Sequence, residues 1–407
     1  MEEKKQSNNK KKVFKYRSLL PLWIAIFIDI LGFSLIFPMV GYFKELFNTS
    51  QTMIGLVFSV NAMFGFIFGP ILGKLSDKFG RRPLLLISQL GTCIAFIMLA
   101  FSTSLEMLFI SRMVDGIFGG NFPIAKAIVS DEVPPRDRGI QMANVGVAHV
   151  LASLIGPAIG GILFTLGGIF LPGLFAAGLS IITMILTIIL LKESWPKEKR
   201  IHHQQIEIKV DQKIRQNKNA VFFLILFGFH TISFMIAMSS ISFFGANVLN
   251  LQPPEISFIL MMGGIVRAVI RFTAFKPTVK KLGETNAIRL GLLIFVICFF
   301  LFGVYPHVVM LFILLMFVSF AASLSRGPLN SKISQTVSPK IQGKINGLSS
   351  ALDMVAQIIG PITAAFMLDT FAPLWLGILI GLIALPPCIM AFQNLDLKKY
   401  KTKNLRE

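Results

Sequence analysis

The chain has 407 residues, 54% of them hydrophobic and only 14% charged, and its mean hydropathy is +0.72, whereas a soluble domain carries about 25% charged residues. The formal net charge of +19 would suit a nucleic-acid binder, but Lys and Arg fall between apolar runs and on one side of them, which is a topology signal and excludes that class. A polytopic membrane protein remains. Apolar runs of about 20 residues cross the hydrocarbon layer as helices, because only helices and closed barrels satisfy the backbone there.

In chain order, twelve such runs are predicted: 19–41, 52–72, 83–101, 107–130, 139–164, 169–191, 220–246, 256–275, 286–304, 308–330, 344–367 and 372–393. A tail at 1–18 with seven Lys/Arg precedes the first. No small-residue cleavage site follows it, so the first helix is expected to be retained. That span carries Asp29 near its middle, within Asp29–Pro38, "DILGFSLIFP". A charge at that depth is costly, which makes it a functional candidate. Its expected partner is Arg112 or a bound cation.

Between the second and third runs stands Gly73–Pro83, "GKLSDKFGRRP". Gly73 and Gly80 are expected to allow tight turns and close helix approach. Arg81 and Arg82 hold the loop at the cytoplasmic surface. Topology explains the basic residues but not Asp77, a carboxylate able to meet the positive N-terminal end of a facing helix. Asp131, at the inner end of the fourth run, can pair with Arg81. The fourth run contains Arg112–Gly120, "RMVDGIFGG", in which Arg112 and Asp115 stand three residues apart and can pair internally.

The fifth run contains Gly146–Gly161, "GVAHVLASLIGPAIGG". Gly156 and Gly160 form a small-xxx-small pair that lets helices approach, and Pro157 favours a kink. Together with Gly146 and Gly161 they read either as a bent, close-packed hinge or as ordinary membrane packing. His149 in the same run reads as a hydrogen-bonded packing histidine or as a titrating group that lines a cavity. The longest polar segment, Lys192–Asn219, reads as a cytoplasmic linker; its adjacent His202 and His203 would point apart on a helix and are expected to be solvated. In the eighth run Arg271 is expected to snorkel to the cytoplasm, while the deeper Arg267 is a cavity-lining candidate. Asp353 lies about ten residues into the eleventh run. Cys93, Cys298 and Cys388 all sit inside runs and read as packing residues, with no metal site and no cofactor expected. The 39 Phe and 18 Met mostly pack helices or face lipid, and a minority would give a cavity an adaptable apolar surface.

Walking the loops with both termini in the cytoplasm leaves only Lys44 on the far side, which is the positive-inside distribution. The halves also repeat. Shifted by 204 residues, Val133, Pro135, Arg136 and Gly139 fall on Val337, Pro339, Lys340 and Gly343, and Gly156-Pro157 falls on Gly360-Pro361. The expected organisation is a six-helix bundle at 19–191, a linker at 192–219, a second six-helix bundle at 220–393 and a cytoplasmic tail at 394–407.

These segments carry a family resemblance. "GKLSDKFGRRP" resembles the loop 2–3 signature of the major facilitator superfamily and occupies the same place. "DILGFSLIFP", "RMVDGIFGG" and "GVAHVLASLIGPAIGG" resemble the first-, fourth- and fifth-helix motifs of its drug:proton antiporters. The N-terminal half resembles tetracycline-type exporters, and the C-terminal half matches them in architecture. The resemblance implies an all-α fold of twelve transmembrane helices in two pseudo-symmetric six-helix bundles. It implies that Gly73, Asp77, Gly80, Arg81 and Asp131 form a latch, with Asp77 meeting the eleventh helix near Lys344–Gly347 when the cytoplasmic side is closed. Gly146, Gly156, Pro157, Gly160 and Gly161 would be the antiporter hinge. Asp29, Arg112, Asp115 and Asp353 become proton-coupling candidates: protonating Asp29 or Asp115 would free Arg112 and bias the transporter. Two departures stand out. Ala95 occupies the third-helix position where tetracycline exporters carry an acid, and the ninth run has no acid.

The expected function is therefore proton-coupled efflux of small hydrophobic or amphipathic compounds by alternating access, in a plasma (inner) membrane, as a monomer. Its partners would be a small-molecule substrate, protons and the bilayer, without nucleic acid and without enzymatic activity. No P-loop is present to make ATP the direct energy source. A metabolite facilitator or symporter, and a transport-inactive receptor or scaffold, are the competing readings. The buried charges disfavour the last.

Overall fold

The computed structural model describes residues 19–119, 121–196, 198, 217–337 and 341–394. The tail at 1–18, nearly all of the tail at 394–407, most of the linker with His202 and His203, and the side chains of His149 and Arg271 lie outside the described residues. Within them, besides a single turn of helix at Phe43–Leu46, the helices are α1 Leu20–Ile36, α2 Gln51–Phe79, α3 Arg81–Ala100, α4 Leu105–Ile117, α5 Asn121–Glu132, α6 Pro135–Gly167, α7 Phe170–Leu190, α8 Lys218–Asn247, α9 Pro253–Thr273, α10 Phe275–Leu301, α11 Val308–Gln335, α12 Gln342–Thr370 and α13 Pro373–Asn394. Ten of these are long and apolar enough to cross a membrane. The fourth pass is made by α4 and α5 together, and the fifth by α6, so twelve passes result and the protein is an integral, multi-pass membrane protein.

The helices group into two compact units: residues 1–38 with 63–208, and residues 39–62 with 209–407. Helix α2 thus begins in one unit and ends in the other. In the first unit α1 packs against α6 and α7, and α3 against α4 and α7. Leu22, Ile26, Leu84, Leu85, Ile128 and Val129 form a buried cluster there. In the second unit α8 packs against α12 and α13, α10 against α11 and α13, and α9 against α11. Phe227, Phe243, Phe295 and Phe299 are fully buried in it. The rings of Phe295 and Phe299 lie 5.2 Å apart, a geometry worth about 0.5–1.5 kcal/mol per pair beyond area burial.

Residues 39–62 join the second unit through polar contacts that local sequence patterns do not announce. The Asp369 carboxylate, at the end of α12, accepts hydrogen bonds from the backbone N–H groups of Gln51 (3.2 Å) and Thr52 (2.7 Å) and from the Thr52 hydroxyl (2.6 Å). It therefore caps the N-terminus of α2, where orphan donors and the helix dipole both favour an anion. Further along α2, the Ser59 hydroxyl donates to the Ile358 carbonyl at 2.6 Å.

The fourth span is not continuous. Helix α4 ends at Ile117, Phe118 and Gly119 form a turn, and α5 starts at Asn121. The Phe118 side chain packs over Gly91 of α3, where an added Cβ would lie 2.5 Å from the Phe118 Cβ. The break leaves the N-terminal end of a half-helix, with its unsatisfied N–H groups, inside the span.

Candidate functional site: two charge clusters and a network around Arg81

The first unit places Asp29, Arg112 and Asp115 in one cluster. Arg112 is fully buried. Its Nη1 donates to Asp115 Oδ2 at 3.2 Å, and its guanidinium lies 5.4 Å from the centre of the Phe96 ring. Asp29, in the middle of α1, accepts a hydrogen bond at 2.8 Å from the side-chain amide of Asn121, the first residue of α5. The expected partner of Asp29 was Arg112 or a bound cation. The hydrogen bond goes instead to Asn121, because the broken fourth span swings that residue to the level of the acid.

Asp29 lies near Asp115, so the cluster holds two acids and one buried arginine, and the arginine pairs with Asp115. Asn121 has a second feature. Its Oδ1 is buried without a hydrogen-bond partner. The amide nitrogen serves the carboxylate form of Asp29, and half a turn of the amide would present the orphan oxygen to the protonated form. Sequence reading missed Asn121, and the Gly-Gly-Asn run at 119–121 was the available signal for a helix break. Ala95, at the family's third-helix acid position, is fully buried.

Where α2 meets α3 in the same unit, Arg81 is the centre of a network. It pairs with Asp77 at 2.6 Å and with Asp131 at 2.9 Å, and its Nη1 donates to the Ser76 hydroxyl at 2.7 Å. Asp131 is largely buried, whereas the Asp77 side chain is 52% exposed. Gly80, at φ +108°, makes the turn between α2 and α3 in a region that side chains rarely enter. Gly73 does not act as expected. It lies inside α2, and among the described residues nothing stands within 4 Å of where its Cβ would be, so it makes neither a turn nor a close approach. Two residues of the linker complete the network and were missed. The Glu193 carboxylate accepts from the backbone N–H groups of Arg81 (2.9 Å) and Arg82 (3.3 Å), capping α3. The Trp195 indole donates to the Asp77 carbonyl at 3.1 Å.

The fifth-helix glycines lie against α1. A Cβ at Gly156 would run into the Ser34 side chain and one at Gly160 into the Leu35 backbone. Gly161 is buried and Pro157 lies inside α6. Gly146 belongs to the part of α6 whose surroundings are not described. Gly360, the register mate of Gly156, packs the same way on α8, where a Cβ would lie 3.0 Å from the Met235 backbone. The repeat therefore preserves a close helix crossing in each unit.

In the second unit Asp353 Oδ1 accepts from Arg326 Nη2 at 2.9 Å and from the Thr231 hydroxyl at 2.7 Å. Arg326 also lies over the Phe234 ring, 5.4 Å from its centre. His230 is buried, and its Nε2 stands 3.3 Å from the Ser325 hydroxyl. Arg267 is half-buried, with its Nε sealed and without a hydrogen-bond partner. Sequence reading found Arg267 and Asp353 but missed Arg326 and His230. Arg326 sits in the last third of α11 and was absorbed into the count of cytoplasmic-side charges.

Comparison with known proteins agrees with this architecture. The chain is 26% identical over 369 residues to the tetracycline resistance protein, class H, of Pasteurella multocida, covering 89% of this chain and 92% of that one. It is 26% identical to multidrug resistance protein 2 of Bacillus subtilis (strain 168), covering 90% and 91%. Among solved structures, the human organic anion transporter MFSD10 (TETRAN) superposes with a TM-score of 0.69 at 21% identity, covering 92% of this chain and 99% of that one. The nucleoside transporter NupG gives 0.67 at 15% identity, covering 92% of this chain and 98% of that one. The Major Facilitator Superfamily sequence model matches residues 22–276 and 246–407. With twelve passes, two units and motif segments in family positions, the chain belongs to the Major Facilitator Superfamily of membrane transporters.

Proposed function

We propose that the protein is a proton-coupled exporter of small hydrophobic or amphipathic molecules that works by alternating access, with both termini in the cytoplasm. The observation that carries this reading is the excess of acid in the first unit: Arg112 pairs with Asp115, which leaves the buried Asp29 with a neutral amide as its partner. Inside a membrane such an excess is relieved by taking up a proton, and a group relieved in that way senses a proton gradient. Asp29 is the better proton carrier of the two, since Asp115 is held by Arg112 and Asp29 only by a neutral amide that can serve both protonation states. The names of the tetracycline and multidrug resistance relatives support export of apolar compounds.

In this reading Asp77, Arg81 and Asp131 take part in closing the cytoplasmic side, and Gly156, Pro157 and Gly160 let α6 bend against α1. The test is transport by the purified chain in sealed vesicles, with tetracycline and a lipophilic dye cation as substrates. Uphill accumulation should appear only when a pH gradient is imposed. Equal accumulation with and without the gradient would remove proton coupling and leave a facilitator.

A further inference from the structure

We infer that the second unit contains a subsite for an oxyanion carried on an apolar body, built around Arg267 and Arg326; this deepens the proposed transport function and rests on it. Helices α9 and α11 cross where the Ser319 hydroxyl meets the Gly263 carbonyl at 3.3 Å. Arg267 lies four residues beyond that crossing on α9, and Arg326 seven residues beyond it on α11. Both spacings return to the face of the crossing, about 6 and 10 Å along the axes in the same direction. The two guanidiniums lie within electrostatic range of each other.

The acid Asp353 is committed to Arg326. Asp353 is hydrogen-bonded to Arg326 and to Thr231. Among the described residues Arg267 has no acidic partner, and its buried Nε donates to nothing. A cation held half-buried inside a membrane protein beside another cation is costly unless a counter-charge arrives. Among the described residues of this part of the unit none supplies one, so a ligand must.

Access and apolar surroundings are also present. The Arg326 and Asp353 side chains keep 33% and 23% of their surface exposed, so the pair is reachable rather than sealed in a core. Phe234, under Arg326, offers a ring face beside the charge. Arginine suits this role because its planar fork binds carboxylate or phosphate oxygens in pairs. The ligand so defined has one anionic head and an apolar or aromatic body. Arg267 stands six residues and Arg326 nine residues before the C-terminal end of its helix, so a lipid headgroup is the competing source of the anion and the test separates the two.

The test uses the purified full chain in neutral detergent, with 2-naphthoate and its methyl ester as ligands, read by the rise in unfolding temperature with concentration. The acid should act at a concentration at least about tenfold lower than the ester, a difference of about 1.4 kcal/mol. Arg267→Gln should bring the two curves together, and Arg267→Lys should keep part of the preference. The double variant Arg326→Gln/Asp353→Asn, which removes a charge pair rather than half of one, should weaken the acid's effect while unfolding at a temperature close to wild type without ligand. Equal action of acid and ester on the wild type, or an unchanged preference in Arg267→Gln, would overturn the subsite. So would an equal effect of inorganic phosphate alone, or displacement of naphthoate by phosphatidylglycerol but not phosphatidylcholine, which would assign the arginines to free phosphate or to a lipid headgroup. Gradient-driven uptake of the dye cation by the wild type with no acid preference loses the subsite alone. An acid preference in a chain that transports nothing loses the transport reading alone.

Discussion

The two units bury charge in opposite proportion. The first holds two acids, Asp29 and Asp115, with Arg112, which pairs with Asp115; the second holds two arginines, Arg267 and Arg326, with Asp353, which pairs with Arg326. The repeat that relates the units at Gly156 and Gly360 does not extend to these clusters, since 204 residues beyond Asp29 stands Ser233, and beyond Arg112 stands Met316. The backbone architecture was duplicated and the charges were set separately. Packing glycines are demanded by the helix crossing in either unit, whereas a buried charge is retained only where it does something. An excess of acid suits a proton and an excess of base suits an anion.

The clusters also differ in burial, and this gives the largest expected effect. Arg112 is fully buried and Arg326 is one-third exposed. Arg112→Leu leaves Asp115 as a buried charge and should destabilise the protein by about 3–5 kcal/mol. Arg326→Leu, screened by solvent, should cost about 1 kcal/mol. Denaturant unfolding in detergent would compare them, and equal losses would mean that the two pairs do not differ in environment.

The shared part of the architecture should respond alike in both units. Gly156→Ala and Gly360→Ala each overpack a helix crossing and should each cost about 1–3 kcal/mol. A loss confined to one of them, measured by thermal unfolding, would break the equivalence of the crossings.

The smallest effects belong to the network around Arg81. Asp131→Asn removes a largely buried partner of Arg81 and should cost about 1–3 kcal/mol. Asp77→Asn removes a half-exposed one and should cost at most about 1 kcal/mol. Denaturant unfolding of the two variants would rank them, and the reverse order would show that Asp77, not Asp131, anchors Arg81 in the folded unit.

Much of the fold was legible in the sequence because its cause is local. A membrane span needs an unbroken apolar run, and twelve can be counted. Motif positions also follow from counting. Partners did not, because pairing depends on contacts between distant segments. Glu193 caps a helix that begins 112 residues earlier, and Asp369 caps one that begins 318 residues earlier; no periodicity marks either acid. Asp29 was visible as a mid-span acid, but its hydrogen bond to Asn121 depends on the break between α4 and α5. The apolar pattern runs on through that break, and only the Gly-Gly-Asn run at 119–121 marks it. Arg326 was hidden for a different reason: near the end of a span, a basic residue that sets topology and one that points inward look the same in sequence.

The claim that the acid excess of the first unit carries the proton is tested most directly at Asp29. Asp29→Asn keeps the shape of the side chain and can still bond Asn121, but it cannot titrate. Purified, monodisperse variant in sealed vesicles should still exchange substrate down its concentration gradient, while accumulation driven by an imposed pH gradient falls to the level seen without one. Wild-type accumulation by the variant would contradict proton coupling through Asp29.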